Sequence, residues 1–493
     1  MWTRFTFAVA VVTALAFTPV AANGVKDHPR VQQALKLLEI WLDAQRDYEQ
    51  IPGLSIAVVH DQDIVWKGAY GFADLAKKVP AKTDTIYSIC SISKVFTSIA
   101  VMQQRDAGKL RLDDPVAKHL PWFTIKRSDP DGGPRAESRG PEITVEGLLT
   151  HSAGLPRESE FGYWTGPDFT FPTREQVIEK LKAQQTYFEA SAYHQYSNLG
   201  LTLAGEVAAA AAGQPYADYV KKRVLGPIGL ADTTPEMPRS PRLAIAYSAI
   251  QRDGGRVAVT PFTARGISPA AGYASTVEDL AKFASWQFRV LADKGGQEVL
   301  SRNTLREMQR VHWMDPDFGS PWGLGFAVWR DKEKTFVGHG GSCPGFRSQM
   351  LLNTPEQVAI IVMANAQGVN TNTFAQRAYD ILGGVIKTAS KPPASAAAKE
   401  QPLAPKDSPY TGTYATGFAG EVAFFPWEDG LGSIGLPTAD PMAGLTKWKK
   451  IGEHTFQRIR KDETLAETLR FELGPDGKAS RLVWHSNTYR RVK

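Results

Sequence analysis

Two strand-rich stretches stand far apart in this sequence with a long helical stretch between them, and this order restricts the fold more than any other feature. Residues 31–48 carry apolar side chains at helical spacing, and residues 54–59 and 64–70 read as the strands of a hairpin. Residues 91–107 and much of 110–240 favour helices and loops. Strand patterns return at residues 325–329, 335–337, 347–352 and 358–363, followed by a helix over 373–386. We predict an α+β fold in which both ends of this segment build one antiparallel sheet and the mostly helical insertion meets it at a cleft.

The rest of the chain indicates a second folding unit. With 493 residues the chain is long enough for more than one hydrophobic core. Residues 389–408 are rich in Pro, Ala and Lys and predict a linker, whereas residues 409–493 show short strand patterns separated by Gly, Asp and Pro. We expect a small β-barrel-like domain there. It lacks a cluster of catalytic residue types, so its expected role is packing or contact with the cell envelope.

The N-terminus is typical of an exported protein. Residues 1–22 combine an early Arg, an apolar run and small residues before Ala22, which predicts a cleaved signal peptide, so that the first folded domain would cover residues 23–388. The run over residues 5–17 is shorter than the roughly 20 residues that a membrane anchor needs. No later stretch is apolar for long enough to span a membrane. We therefore expect a periplasmic or secreted protein without an integral span after signal removal.

Charge and histidine placement exclude several function classes. The net charge is +6, but the basic residues are scattered, so a nucleic-acid partner is not expected. The nine histidines form no ligand cluster, and neither a His-Glu-x-x-His motif nor a glycine phosphate loop is present. The sequence therefore predicts no metal and no cofactor.

Ser91 and Lys94 form the first candidate catalytic pair. They lie at the start of a predicted helix, one turn apart, so their side chains share a face. A serine hydroxyl needs an adjacent base to become a nucleophile, and a helix N-terminus offers N–H groups to a developing oxyanion. Alone, this pattern is equally typical of a solvated first helical turn.

A second motif, Tyr196-Ser197-Asn198, precedes an apolar helix. A tyrosine beside a lysine ammonium can have its pKa lowered toward that of a general base. Asn198 is expected to bond Lys94 on one side and a substrate amide on the other. The alternative is a packed tyrosine beside a helix-capping asparagine.

A third motif runs from Gly338 to Phe346, after the strand predicted over residues 335–337. Gly340 and Gly341 would let a substrate backbone lie flat against the strand edge. His339 is expected to donate a hydrogen bond into the cleft, and the Ser342 N–H to form an oxyanion hole with that of Ser91. A bare turn is the alternative.

These three motifs, in this order and at these separations, resemble those of class C β-lactamases, serine D-alanyl peptidases of family S12 and β-lactamase-like carboxylesterases. The resemblance covers residues 30–388. Supporting stretches that also look like this superfamily are Pro52-Gly53-Leu54 and residues 148–155, 272–276 and 322–326. The resemblance implies a β-lactamase/transpeptidase-like fold and an acyl-enzyme on Ser91, with Lys94 and Tyr196 removing and returning its proton.

The substrate expectation rests on a departure from that pattern. Enzymes efficient on β-lactams carry Lys-Thr-Gly at the third motif, where this chain has His339-Gly340-Gly341, which weakens a cationic hold on a β-lactam carboxylate. We expect an amide, a D-amino-acid peptide or an ester as substrate, framed by the loops over residues 124–142 and 156–172. A true class C-like β-lactamase stays the nearest alternative.

Two functions outside this superfamily's catalysis agree less well with the sequence. An α/β-hydrolase is disfavoured because the chain has no Gly-x-Ser-x-Gly motif. A non-catalytic penicillin-binding or envelope-recognition protein is disfavoured by the intact Ser91, Lys94 and Tyr196.

The two cysteines flank the proposed oxyanion donors. Cys90 precedes Ser91 and Cys343 follows Ser342, so convergence of the two donors would bring the cysteines within bonding reach. The arrangement resembles the disulfide that class A carbapenemases place beside the same two motifs. We predict a Cys90–Cys343 disulfide, with two small buried thiols as the alternative.

Overall fold

The structure is a computed structural model that describes residues 24–128, 134–135, 141–391, 404 and 408–493. The predicted signal peptide and most of the predicted linker lie outside these residues, as does part of the loop over residues 124–142. The division of the chain at residues 389–408 therefore stays a prediction. No helix within the described ranges is both long and apolar enough to cross a bilayer.

The chain begins with a helix and a hairpin, as the periodicity predicts. Pro29 occupies the first helical turn, where its missing N–H costs nothing, and the His28 side chain accepts a hydrogen bond from the Arg30 N–H. The helix buries one apolar stripe that includes Leu38 and Trp41. The elements are α1 (Pro29–Tyr48), β1 (Gly53–His60), β2 (Asp63–Asp74) and β3 (Val79–Pro80).

The middle of the chain is mainly helical. Several of its helices begin at a Thr or Ser whose side chain accepts from the third backbone N–H beyond it, such as Thr276 and Ser301. Its helices are α2 (Ser93–Asp106), α3 (Val116–His119), α4 (Val145–Thr150), α5 (Arg174–Leu181), α6 (Asn198–Ala212), α7 (Tyr216–Val220), α8 (Gly226–Ile228), α9 (Ser268–Ala271), α10 (Val277–Leu291) and α11 (Arg302–Met308). Short strands pair as β4 (Tyr87–Ser88) with β9 (Ala274–Ser275), β5 (Arg127–Ser128) with β6 (Pro134–Arg135), and β7 (Ala246–Tyr247) with β8 (Ala258–Val259).

The two strand-rich stretches join in one antiparallel sheet, which confirms the predicted fold class. The later stretch supplies β10 (Ala327–Asp331), β11 (Lys334–Cys343), β12 (Phe346–Asn353), β13 (Val358–Ala364) and the closing helix α12 (Thr371–Ala389). The strand order is β10-β11-β12-β13-β1-β2-β3, with Leu54 opposite Ala364. Strand β1 is buried on both faces, so alternate residues enter two different cores. Helices α2 and α10 cover one face, and α1 and α12 cover the other.

The C-terminal part forms a closed eight-stranded barrel. Its interior is filled by side chains that include Phe424, Trp448 and Phe471. On its outer surface Phe425 and Leu436 are buried in the same core as α1 and α12, and the Trp41 indole donates to the Thr438 carbonyl at 2.9 Å. The barrel therefore packs on the face of the sheet opposite to α2. Its strands are β14 (Gly412–Ala415), β15 (Glu421–Trp427), β16 (Gly430–Leu436), β17 (Thr446–Gly452), β18 (Thr455–Ile459), β19 (Leu465–Leu473), β20 (Ala479–Trp484) and β21 (Asn487–Arg491).

Candidate active site

Ser91 lies on a tight turn rather than in an α-helix. A 3₁₀ turn spans Cys90–Ile92, and α2 begins only at Ser93. The observed helix therefore starts two residues later than predicted. Cys90 has a φ of +51°, in the left-handed region that non-glycine residues rarely adopt. The turn leaves the Ser91 side chain partly accessible while its neighbours on both sides are fully buried.

Lys94 is completely buried and touches Ser91. Its Nζ lies 3.1 Å from Ser91 Oγ, 2.7 Å from Asn198 Oδ1 and 2.7 Å from the main-chain oxygen of Ala270. Burial lowers the pKa of Lys94 well below its usual value, although the nearby Glu158 carboxylate opposes this shift.

The three partners of Lys94 determine where a neutral amine would point. The Ala270 carbonyl and Asn198 Oδ1 can only accept hydrogen bonds, so they take the two N–H groups of a neutral lysine. The remaining lone pair then faces the Ser91 hydroxyl, which can donate to it. This is the arrangement that a general base for Ser91 requires.

Tyr196 does not behave as the sequence suggested. Burial raises the pKa of its phenol, while the contact with the Ser91 hydroxyl and the charge of Arg157 work in the opposite direction. The expected lowering of its pKa toward that of a base is therefore wrong. Its ring lies 5.0 Å from Lys94 Nζ and packs against His151 at 4.3 Å, so a neutral phenol stands beside the pair.

The third motif is part of a strand and not of a turn after it. Strand β11 runs on to Cys343, beyond the predicted end at residue 337, because it pairs along its whole length with β12. Gly341 lies close to the Cys90–Ile92 turn that carries Ser91, the nucleophile turn. A Cβ on Gly341 would stand 2.3 Å from the Ile89 carbonyl oxygen. Only glycine permits this approach, which brings the strand edge to Ser91.

His339 presents an acceptor, contrary to the expected donor. Its Nδ1 lies 2.6 Å from the Gly340 carbonyl oxygen, so this nitrogen carries the proton. Burial and the charge of Lys94 lower the pKa of His339 to about 3, so the ring is neutral at ordinary pH. The buried Nε2, which has no partner among the described residues, is then an acceptor. A neutral ring cannot replace the cation of a Lys-Thr-Gly motif.

The structure contains the predicted disulfide between Cys90 and Cys343, with 5.6 Å between their Cα atoms. The bond joins the nucleophile turn to the end of β11. It therefore brings the main chain of Ser91 close to that of Ser342, whose side chain is exposed.

Asn198 opens α6, which Ser197 caps by accepting from the Gly200 N–H at 2.8 Å. Asn198 Oδ1 reaches Lys94 as predicted, but its Nδ2 donates to Glu158 Oε1 at 2.7 Å. The side expected to meet a substrate amide thus already has a protein partner.

Several residues of the site were not indicated by any sequence pattern. Glu158 contacts Asn198, and the Ala270 carbonyl contacts Lys94. His151 accepts from the Ser197 N–H at 3.1 Å. His151 does lie in the supporting stretch 148–155, but nothing in that pattern indicated contact with Tyr196. Within the described residues, no group of three or more His, Cys, Asp or Glu side chains is placed to hold a metal ion.

This fold is the β-lactamase/transpeptidase-like fold, and its site joins a serine hydroxyl to a buried lysine. The chain belongs to the beta-lactamase family, whose sequence model matches residues 39–384. Relatives include beta-lactamase-like protein 2 of Dictyostelium discoideum, 26% identical over 74% of this chain, and protein flp of Staphylococcus aureus (strain MW2), 24% identical over 68%. The matched regions span 65% and 66% of those relatives, just under two thirds of each.

Two solved structures share the fold. An octameric penicillin-binding protein homologue from Pyrococcus abyssi superposes with a TM-score of 0.62 and 22% identity, over 92% of this chain and 99% of the other. A D-stereospecific amidohydrolase from Streptomyces sp. superposes with a TM-score of 0.56 and 24% identity, over 71% of this chain and 98% of the other.

Proposed function

We propose that the protein is an exported acyl hydrolase that works through an acyl-enzyme on Ser91 and cleaves an amide, a D-amino-acid peptide or an ester. The observation that carries this proposal is the placement of Lys94. Its two acceptor-only partners leave the lone pair of the neutral amine facing the Ser91 hydroxyl.

The reaction begins with proton transfer from Ser91 to neutral Lys94 as Oγ attacks the substrate carbonyl. The negative charge that develops on the carbonyl oxygen is held by the N–H groups of Ser91 and Ser342, whose segments the disulfide joins. The neutral phenol of Tyr196 donates a proton to the leaving group, and the proton on Lys94 replaces it. Water then attacks the acyl-enzyme, and the same groups act in reverse to release the acid.

The third motif favours a substrate that has no carboxylate next to His339. His339 is neutral and buried, so it offers an anion no charge and a carbonyl no proton. An N–H or O–H of the substrate is the chemical match for an acceptor in this position. D-stereospecific amide hydrolysis, the activity for which the Streptomyces neighbour is named, is compatible with this pattern.

A class C-like β-lactamase is the second candidate, and one residue favours it. The Arg157 guanidinium lies 4.9 Å from the centroid of the Tyr196 ring, and 59% of its side chain is exposed. It is a cation at the mouth of the site that a β-lactam carboxylate can reach. Turnover of benzylpenicillin or nitrocefin at rates near roughly 10⁸ per molar per second would favour this candidate over the first.

The test is active-site labelling combined with a substrate panel. A fluorophosphonate probe and a fluorescent penicillin should label the wild-type protein and not Ser91→Ala. The purified protein is assayed on p-nitrophenyl esters, D-Ala-D-Ala peptides, D-amino-acid amides and nitrocefin. Labelling that persists in Ser91→Ala contradicts the proposal, and a protein with no labelling and no turnover would be the non-catalytic recognition protein.

Export rests on the N-terminal sequence alone, so periplasmic or secreted localisation is part of the proposal. Sequencing the N-terminus of the protein recovered from cell fractions tests it. A cytoplasmic protein that still begins at residue 1 would contradict it. We propose contact with the cell envelope through the barrel as well, and the same fractionation tests it.

A further inference from the structure

The Asn198 amide lies between two groups of opposite hydrogen-bonding character. Glu158 Oε1 lies 2.7 Å from Asn198 Nδ2, and Lys94 Nζ lies 2.7 Å from Asn198 Oδ1. A carboxylate only accepts hydrogen bonds, whereas an ammonium group only donates them. With Glu158 in place, the amide has one favourable orientation, in which its oxygen faces Lys94.

Glu158 is itself held on several sides. The buried Tyr163 hydroxyl donates to Oε2, and the Gln184 side chain donates to the Glu158 main-chain carbonyl at 2.9 Å. The neighbouring Arg157 carbonyl accepts from the Asn198 N–H at 2.8 Å, which ties this loop to the start of α6. Only 22% of the Glu158 side chain is exposed. The carboxylate is therefore a preorganised part of the site.

We infer that Glu158 is a positioning residue for the proposed acyl transfer, because its carboxylate orients Asn198 so that the lone pair of Lys94 faces Ser91. The inference rests on the proposed function, which requires Lys94 as the base. It assigns Glu158 no contact with the substrate. Without Glu158 the Asn198 amide can rotate and present its NH₂ group to Lys94, and the amine would then accept from Asn198 rather than from Ser91.

The charge of Glu158 has a separate effect on pH dependence. The charged and titratable groups around Lys94 are Glu158 and Arg157 in the loop after α4, His151, Tyr196 and His339. Glu158 is the one carboxylate in this set, and it favours the ammonium form of Lys94. Removing that charge should let Lys94 lose its proton at lower pH.

Two substitutions separate orientation from charge. Glu158→Gln keeps an oxygen that can accept from Asn198 but removes the charge, so the acidic limb of kcat/KM should move to lower pH by about one unit. Glu158→Ala removes the acceptor, so kcat should fall about 10²-fold while KM stays within roughly threefold. Glu160→Gln is the matched control, because Glu160 is exposed and pairs at the surface with Lys180. It should leave the pH profile and kcat unchanged.

The experiment measures pH profiles on a neutral p-nitrophenyl ester for the wild type, the three variants and Ser91→Ala, with thermal melts to verify folding. An unshifted limb in Glu158→Gln overturns the role of the charge, and full kcat in folded Glu158→Ala overturns the role in orientation. If Glu158→Ala does not fold, Glu158→Leu, which fills a similar volume and also lacks an acceptor for Asn198, decides the role in orientation, and Glu158→Gln decides only the role of the charge. Turnover that survives Ser91→Ala overturns the proposed function and this inference with it, whereas an inactive Ser91→Ala beside unaffected Glu158 variants overturns only the inference.

Discussion

The Ser348 hydroxyl donates to the Ile89 carbonyl at 3.0 Å, which fixes strand β12 to the turn that carries Ser91 two residues later. Gly341 lies opposite Ser348 in the neighbouring strand and against the same carbonyl. The nucleophile turn is thus held by hydrogen bonding and by close main-chain approach, in addition to the disulfide.

This contact predicts that Gly341→Ala impairs catalysis. The new Cβ would stand 2.1 Å from Ser348 Oγ and 2.3 Å from the Ile89 oxygen, so strand and turn must separate. A displacement of about 1 Å at the reacting groups can lower kcat/KM about 10²-fold, which steady-state assays on an ester would detect. The control is Gly384→Ala on α12, where a Cβ has no neighbour within 4 Å. It should keep full activity and raise the unfolding free energy by about 0.5–1 kcal/mol. Equal activity in both variants would contradict the prediction.

Lys94 predicts an acidic limb in the pH profile. The neutral amine is the active form, and burial lowers the pKa of Lys94, so kcat/KM should rise as the pH increases through that lowered pKa. The base therefore becomes available at a lower pH than an exposed lysine would. Lys94→Met should reduce kcat by about 10³-fold or more while the protein stays folded. A rate that falls with rising pH across the same range would contradict this assignment.

The disulfide predicts a redox-dependent stability. The denatured, unreduced protein should contain no titratable thiol, and two titratable thiols would contradict the bond. Reduction should lower the unfolding free energy by about 2–4 kcal/mol, measured by urea denaturation with and without reductant. The Cys90→Ala/Cys343→Ala variant is the control, because its stability should not respond to reductant.

Because the barrel packs on α1 and α12, we expect its outer apolar residues to stabilise the β-lactamase-like part of the chain. Phe425 is fully buried in the core that contains α1 and α12, so Phe425→Ala should cost about 3–5 kcal/mol in urea denaturation. Phe418 is 89% exposed on the same barrel, and Phe418→Ala should change stability by less than about 0.5 kcal/mol. If both substitutions changed the unfolding free energy by a similarly small amount, the interface would contribute little to stability.

The local elements and the candidate residues could be predicted from the order of amino acids alone. Helical spacing over residues 31–48 and the strand patterns on either side of the helical stretch were sufficient for α1 and for a sheet built from both ends. Short motifs around Ser91, Tyr196 and His339 identified side chains that the structure brings together, because each motif pairs chemistry with a local conformation. Cys90 and Cys343, next to Ser91 and Ser342, were informative because a disulfide between them requires the two main-chain segments to lie close together.

The electrostatics of the site and the length of strand β11 depend on contacts that form only in the folded chain. Whether the pKa of Tyr196 rises or falls depends on burial among residues distant in sequence, and burial outweighs the opposing effects of the Ser91 contact and the Arg157 charge. The partners Glu158 and Ala270 reach Asn198 and Lys94 through space, where no sequence spacing marks them. Strand β11 continues to Cys343 because β12 pairs with it, an interaction that a glycine-rich segment does not reveal by its own propensity.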